Sequence, residues 1–195
     1  MLSSDSSPLF NLEPPVTERL SFKLLAGSDL EIIPAWEYDF LLFQSPETAH
    51  AYPLSIYRAE RLRQLREPQR SVCAILIDGQ IGGCVIFEEY APGELLCART
   101  PIPYPVPQEA LWRGLFQLCG SAFASQIERL WAFIEVDETD TLPVLRRYGV
   151  RCSGPPQPKN ITAGDEVIDQ ALVQLVCLDR ATWARLKAQE LGHLN

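Results

Sequence analysis

A chain of 195 residues, 47% apolar and 22% charged, has the make-up of one globular domain with a full core. Its formal charge of -8 argues against nucleic-acid binding, which needs a basic face for phosphates. No apolar run reaches about 18 residues, and residues 1–12 have neither a basic n-region nor a long apolar h-region, so neither a membrane span nor a secretory signal is expected.

Six cysteines (Cys73, Cys84, Cys97, Cys119, Cys152, Cys177) form no CxxC pair, and several sit in apolar runs. They read as reduced, mostly buried thiols of a cytoplasmic protein. His50 and His193 are the only histidines and have no ligand-spaced neighbours, so no metal site and no Ser-His-Asp or Cys-His constellation is expected.

Residues 1–19 are rich in Ser, Pro and acidic side chains and are expected to be poorly ordered, ahead of a single domain over 20–195. Residues 20–25 suggest a first strand. Ser28-Asp29 caps a short helix or opens a loop. Residues 35–67 read as two helical pieces interrupted near Ser45-Pro46 and Pro53. In the second piece Leu54, Arg58, Leu62 and Leu65 share a face at 100° per residue, so Arg58 is expected in an ion pair within an apolar stripe. Arg61, Arg63, Arg66 and Arg70 make this segment basic, either a docking patch for an acidic carrier protein or phosphate, or a solvated face.

A β-meander follows. Residues 71–77 are rich in β-branched side chains, Asp78-Gly79 is a hairpin turn, and residues 81–88 return, with Gly82-Gly83 suggesting a bulge. Ala91-Pro92-Gly93 turns into a third strand at 94–100. The run PIPYPVP (101–107) excludes helix and inner strand. Residues 108–126 carry Leu111, Leu115, Leu118, Cys119 and Ala122 on one helical face. Residues 130–136 form a buried strand. Asp140-Thr141 with Pro143 starts a helix, and Gly149 stops it. Residues 150–153 suggest a short strand, 155–165 a loop, 168–178 a long final strand, and Asp179 the cap of a helix over 180–191.

An antiparallel meander feeding a βαβ unit, then helix and strand, resembles the GNAT (acyl-CoA N-acyltransferase) pattern, an α/β (α+β) fold with a mixed central sheet flanked by helices. Within that superfamily, ALWRGLFQLCGSAFASQIERLWAFIEVDETDTLPVLRRYGVRCSGPPQ, and LPVLRRYGVRCSGPPQ above all, resembles acyl-homoserine-lactone synthases, the autoinducer enzymes of quorum sensing. The ending LVQLVCLDRATWARL is similar too. The likeness covers about half the chain. Departures lie earlier: Leu96 occupies the acidic position of the third meander strand, Leu62 replaces an aromatic residue in an R-x-x-x-F helix motif that begins at Arg58, and 63–70 lacks the tryptophan and the paired aspartates that help bind S-adenosylmethionine. PIPYPVP replaces the Gly-rich pyrophosphate loop of acetyltransferases.

The resemblance implies an acyl-thioester-dependent N-acyltransferase with a small-molecule amine acceptor. Its donor would be acyl-CoA or the phosphopantetheine thioester of an acyl-carrier protein. Two strands, 94–100 and 130–136, would splay to hold the pantetheine arm against the backbone of Leu96, Cys97 and Ala98, while the helix N-terminus at Gln108 and Glu109 meets the pyrophosphate. Acyl transfer to an amine needs a base, oxyanion donors and an acid for the thiolate. Glu94 and Glu135 are the candidate bases, Glu135 favoured by burial in an apolar strand. Tyr148 is the candidate acid. Arg58 and Arg99 are candidates for holding substrate carboxylate or phosphate. Each also fits a structural role: surface carboxylate for the glutamates, core packing for Tyr148, and for Arg99 a salt bridge to Glu88, Glu89 or Glu94. An alternative keeps the fold without catalysis, as a ligand- or partner-binding module.

Overall fold

The computed structural model describes residues 20–44, 53–99, 108–136, 141–163 and 166–192. The expectations for 1–19, for PIPYPVP and for the two histidines lie outside them. The described residues form two compact units, one up to Glu89 together with Arg99–Ser125, the other Tyr90–Ala98 together with the residues from Gln126 onward.

The first unit opens with β1 (Leu20–Leu25), a 3-10 turn at Gly27–Glu31, α1 (Ile32–Gln44) and α2 (Leu54–Leu65). β2 (Arg70–Ile77) pairs antiparallel with β1, from Leu20↔Ile77 to Leu25↔Val72, and with β3 (Gln80–Ala91). Asp78 and Gly79 both have positive φ, 51° and 80°, the backbone that a two-residue primed hairpin turn requires. The expected bulge is present: Ile75 faces Gly83 and Leu76 faces Ile81, so Gly82 is the extra residue. α3 (Gln108–Ala124) completes the unit. Leu25, Leu30, Ile33, Leu65, Val72, Ala74, Cys84 and Ile86 pack as one apolar cluster under α1 and α2. Full burial of such aliphatic side chains contributes about 1.5–3 kcal/mol each.

The buried face of α2 differs from the expected one. Leu54 is 42% exposed and the Arg58 side chain 48%. Tyr57, Arg61 and Leu65, at i, i+4 and i+8, turn inward instead, with Leu62 alongside. The cause is a carboxylate on α1, Glu37, that draws Arg61 toward the interior.

The second unit holds β4 (Glu94–Arg99) as far as Ala98, β5 (Arg129–Glu135), α4 (Thr141–Arg147), β6 (Arg151–Cys152), β7 (Gln157–Ala163), β8 (Glu166–Asp179) and α5 (Arg180–Gly192). β7 corrects the expected loop over 155–165. It runs antiparallel to β8 from Gln157↔Val173 to Ala163↔Glu166. Pro158 lacks an N–H but is tolerated because β7, among the described residues, pairs on one side only.

α4 ends in a Schellman motif: Gly149 N–H donates to Arg146 C=O (3.0 Å) and Val150 N–H to Leu145 C=O (3.1 Å). Gly149 has φ +76°, and a Cβ there would lie 2.4 Å from Thr182 Cγ2 and 2.8 Å from Leu186 Cδ1. Glycine is therefore required both for the backbone and for the close approach of α5. Asp179 caps α5 as expected, accepting from Thr182 N–H (2.7 Å) and Thr182 Oγ1 (3.1 Å). The strands hydrogen-bond in the order β1-β2-β3-β4-β5-β8-β6, with β7 on β8.

Candidate functional site

β4 and β5 are parallel neighbours from Glu94↔Arg129 to Cys97↔Ala132, and their ladder ends there although both strands continue. On its other side β5 stays paired with β8 to Glu135↔Val173. Phe133, Ile134 and Glu135 thus have a ladder on one side and, among the described residues, none on the other. Backbone amides at such a gap call for a partner. An extended ligand carrying its own amides meets that need.

Leu96 and Cys97 belong to the paired stretch, and Ala98 is the first residue past it. Glu94 lies behind the closed ladder, three residues or about 10 Å before the last pair. Its Oε1 accepts from Arg129 Nη1 at 2.8 Å and its Oε2 from Trp131 Nε1 at 2.7 Å. The Trp131 ring packs on Tyr90, centroids 5.9 Å apart. Glu135 lies at the other end of the same face, since β5 residues 129 and 135 differ by an even number. Six residues, about 20 Å, separate the level of Glu94 from Glu135, so the two carboxylates cannot serve one reacting atom. Glu135 is exposed, which removes the burial expected for it: it ends its strand rather than sitting within it.

Tyr148 follows α4 and is half-buried, its N–H donating to Leu145 C=O. The Arg99 guanidinium lies 5.4 Å from the centre of the Trp112 ring, a cation–π arrangement. Of the carboxylates expected to pair with Arg99, Glu88 is bound to Arg70 and Glu94 to Arg129. Arg58 does form an ion pair, with Glu31 at 2.8 Å, but on an exposed surface where Arg66 shares the same carboxylate. Gln108 and Glu109 open α3, whose first-turn amides have no partner within the helix.

The sequence reading missed one cluster. Glu37 is buried, 8% exposed, and Arg61 grips it through two hydrogen bonds of 2.7 Å. Tyr57 Oη donates to the same carboxylate at 3.1 Å. Burial and the charge of Glu37 hold the Tyr57 hydroxyl well above its ordinary range. Burial alone would weaken the hold of Arg61 on its proton, and Glu37 more than offsets this. The available signal was the spacing of Tyr57, Arg61 and Leu65, which competed with a leucine stripe on the adjacent face.

None of the six cysteines forms a disulfide. Cys73 and Cys84 are buried and Cys152 is exposed. Burial pushes Cys73 and Cys119 up to about 12. Among the described residues no group of three or more His, Cys, Asp or Glu is placed to hold a metal ion, and no helix is long and apolar enough to cross a membrane.

No protein-family model and no curated protein sequence matches the chain. Solved structures do. RimL, a ribosomal L7/L12 α-N-protein acetyltransferase in complex with coenzyme A, superposes with TM-score 0.62 at 14% identity, over 86% of this chain and 98% of that one. A spermidine N-acetyltransferase SpeG chimera from Vibrio cholerae and hSSAT gives 0.64 at 9% identity, over 86% and 99%. A probable acetyltransferase of the GNAT family from Chromobacterium violaceum gives 0.61 at 11%, over 90% and 97%. The fold is thus the mixed-sheet α/β fold of GNAT acetyltransferases, as the order of elements implied.

Proposed function

We propose that this chain transfers an acyl group from a pantetheine thioester to an amine. The observation that carries the reading is the β4–β5 ladder that stops at Cys97 and Ala132 while both strands run on. A pantetheine arm laid there would use its amides to satisfy the open edge of β5. Acyl-CoA is the donor assigned to the gap, and the likeness to RimL, a protein in complex with coenzyme A, supports it.

In the reaction the acceptor nitrogen attacks the thioester carbonyl carbon. The N–C bond forms, the C–S bond breaks, one amine proton passes to a base, and the thiolate takes up a proton. Glu135 flanks the open side of the gap and is assigned as base, directly or through a water. Tyr148 is assigned as the acid for the thiolate. Gln108, Glu109 and Arg99 belong to the other unit, and their roles toward the charged groups of donor or acceptor are what the family resemblance alone implies. The finer reading, a lactone-synthase-like enzyme fed by an acyl-carrier protein, rests on the sequence resemblance alone, LPVLRRYGVRCSGPPQ above all and the LVQLVCLDRATWARL ending with it. The alternative, a module that binds a ligand or partner without turnover, is favoured by PIPYPVP in place of a Gly-rich loop and by the lack of Trp and Asp over 63–70.

The test incubates the protein with acetyl-CoA, longer acyl-CoAs and acyl-carrier-protein thioesters. Amines offered are spermidine, a peptide α-amine and S-adenosylmethionine, with mass spectrometry of protein and products. An N-acyl product establishes the transferase, and the productive donor and amine decide the finer reading. Retained thioester without product supports the binding module. Binding of no thioester sinks the transferase reading.

A further inference from the structure

Between the end of α4, β6 and the first two turns of α5 lies an open cleft of about 560 Å³. Three arginines line it, Arg146, Arg151 and Arg185, with Thr182, Cys152 and the Gly149 turn. It lies beside the closed end of β5. Arg151 pairs with Cys177, and Cys177 faces Trp131, four residues or about 13 Å along β5 from Glu135.

The charge balance of the cleft is opposite to that of the chain. The protein carries 25 acidic against 17 basic side chains, yet among the described residues no carboxylate lines the cleft. Arg151 is neutralised: it is ion-paired with Asp179, whose carboxylate also caps α5. Arg146 and Arg185 have no carboxylate partner among the described residues, and Arg146 Nη2 makes a long contact to Cys152 Sγ, 3.9 Å. Two uncompensated guanidinia thus face one concavity. They stand on different helices whose spacing is fixed by the Gly149–Thr182 approach. Arginine side chains present fork-shaped donor sets that match phosphate oxygens, and two of them balance a dianion. The volume exceeds that of a bare phosphate and falls in the range of small-molecule sites. The Val150 side chain and the arginine stems supply apolar wall beside the charge.

We infer that this cleft is an anion site for a small phosphate monoester, with Arg146 and Arg185 clamping the phosphate and Arg151 held behind them by Asp179. It is separate from the gap at the end of the β4–β5 ladder, so a ligand there would bind without competing for the acyl donor.

The experiment titrates the intact protein with inorganic phosphate against chloride at constant ionic strength, following thermal unfolding. It is repeated with saturating coenzyme A and with the double variant Arg146→Gln/Arg185→Gln. Both arginines are exposed, so the variant should unfold like the parent in chloride; if it does not, the single variants Arg146→Gln and Arg185→Gln replace it. The expected result is a saturable rise in unfolding temperature that persists with coenzyme A present. The arginine variants should weaken its apparent affinity at least tenfold. The inference is overturned by the absence of a saturable rise, by an equal rise in the variants, or by loss of the rise when coenzyme A is bound.

Discussion

Replacing Arg61 by Met should unbalance the first unit more than any surface charge change. Glu37 is 8% exposed and Arg61 21%, and the two 2.7 Å bonds between them form a fork on one carboxylate. Removing one partner of a buried ion pair costs roughly 3–5 kcal/mol, because the remaining charge is left without compensation. Partial exposure of Arg61 and the surviving Tyr57 bond place this case near the lower end, about 3 kcal/mol. For a chain of this size that lowers the thermal midpoint by roughly 6–12 °C. Urea unfolding followed by circular dichroism measures it. The double variant Glu37→Gln/Arg61→Met should recover more than half of the loss. A loss below about 1 kcal/mol at neutral pH, or strictly additive single effects, would refute the reasoning.

Gly149→Ala forces a Cβ to within 2.4 Å of Thr182 and imposes positive φ on an alanine; a loss of about 2–4 kcal/mol in urea unfolding is expected. Asp179→Ala removes the α5 cap and the Arg151 partner, and should cost about 0.5–2 kcal/mol with less helical signal at 222 nm. Alkylation at pH 8 followed by peptide mass spectrometry should modify Cys152 in the folded protein but Cys73 only after unfolding. The thiols of Cys73 and Cys119, raised from 9.0 to about 12, contribute stability that is full below pH 9 and lost as the pH rises toward 12, because only the unfolded chain ionises them in that window. A midpoint flat across that window would contradict their burial.

Local signals made most of the fold legible. Asp78-Gly79, Pro92-Gly93, Gly149 and Asp179 are punctuation whose chemistry works within a few residues, and each turn or cap they marked is present. Where the sequence misled, the deciding partner was remote. The 155–165 stretch reads as loop because Gly154, Pro155, Pro156 and Pro158 crowd it, yet β8 supplies a ladder and β7 needs bonds on one side alone. The inward face of α2 is set by Glu37, 24 residues from Arg61, which no helical periodicity of α2 can reveal. The same holds for the candidate site. The segments of the splayed pair were readable, but the point where they part, and hence which glutamate flanks the gap, depends on register between strands.

That register separates Glu94 from Glu135. An acidic residue on the third meander strand looked like a base because its strand borders the donor gap. Pairing from Glu94↔Arg129 to Cys97↔Ala132 places it behind the closed ladder instead, with both oxygens held. Glu94→Gln keeps an oxygen for Trp131 and loses only a partly exposed ion pair to Arg129, so stability should fall by no more than about 1 kcal/mol. If the chain is a transferase, this variant should retain turnover within a few-fold. Glu135→Gln, on the open side and without a structural ion pair among the described residues, should leave stability unchanged while lowering kcat/KM by roughly 10²–10⁴ at unchanged thioester affinity. The reverse pattern, turnover lost with Glu94→Gln and kept with Glu135→Gln, would mean that the Arg129–Glu94–Trp131 network opens when the donor binds, and that the base works from the closed end of the strands.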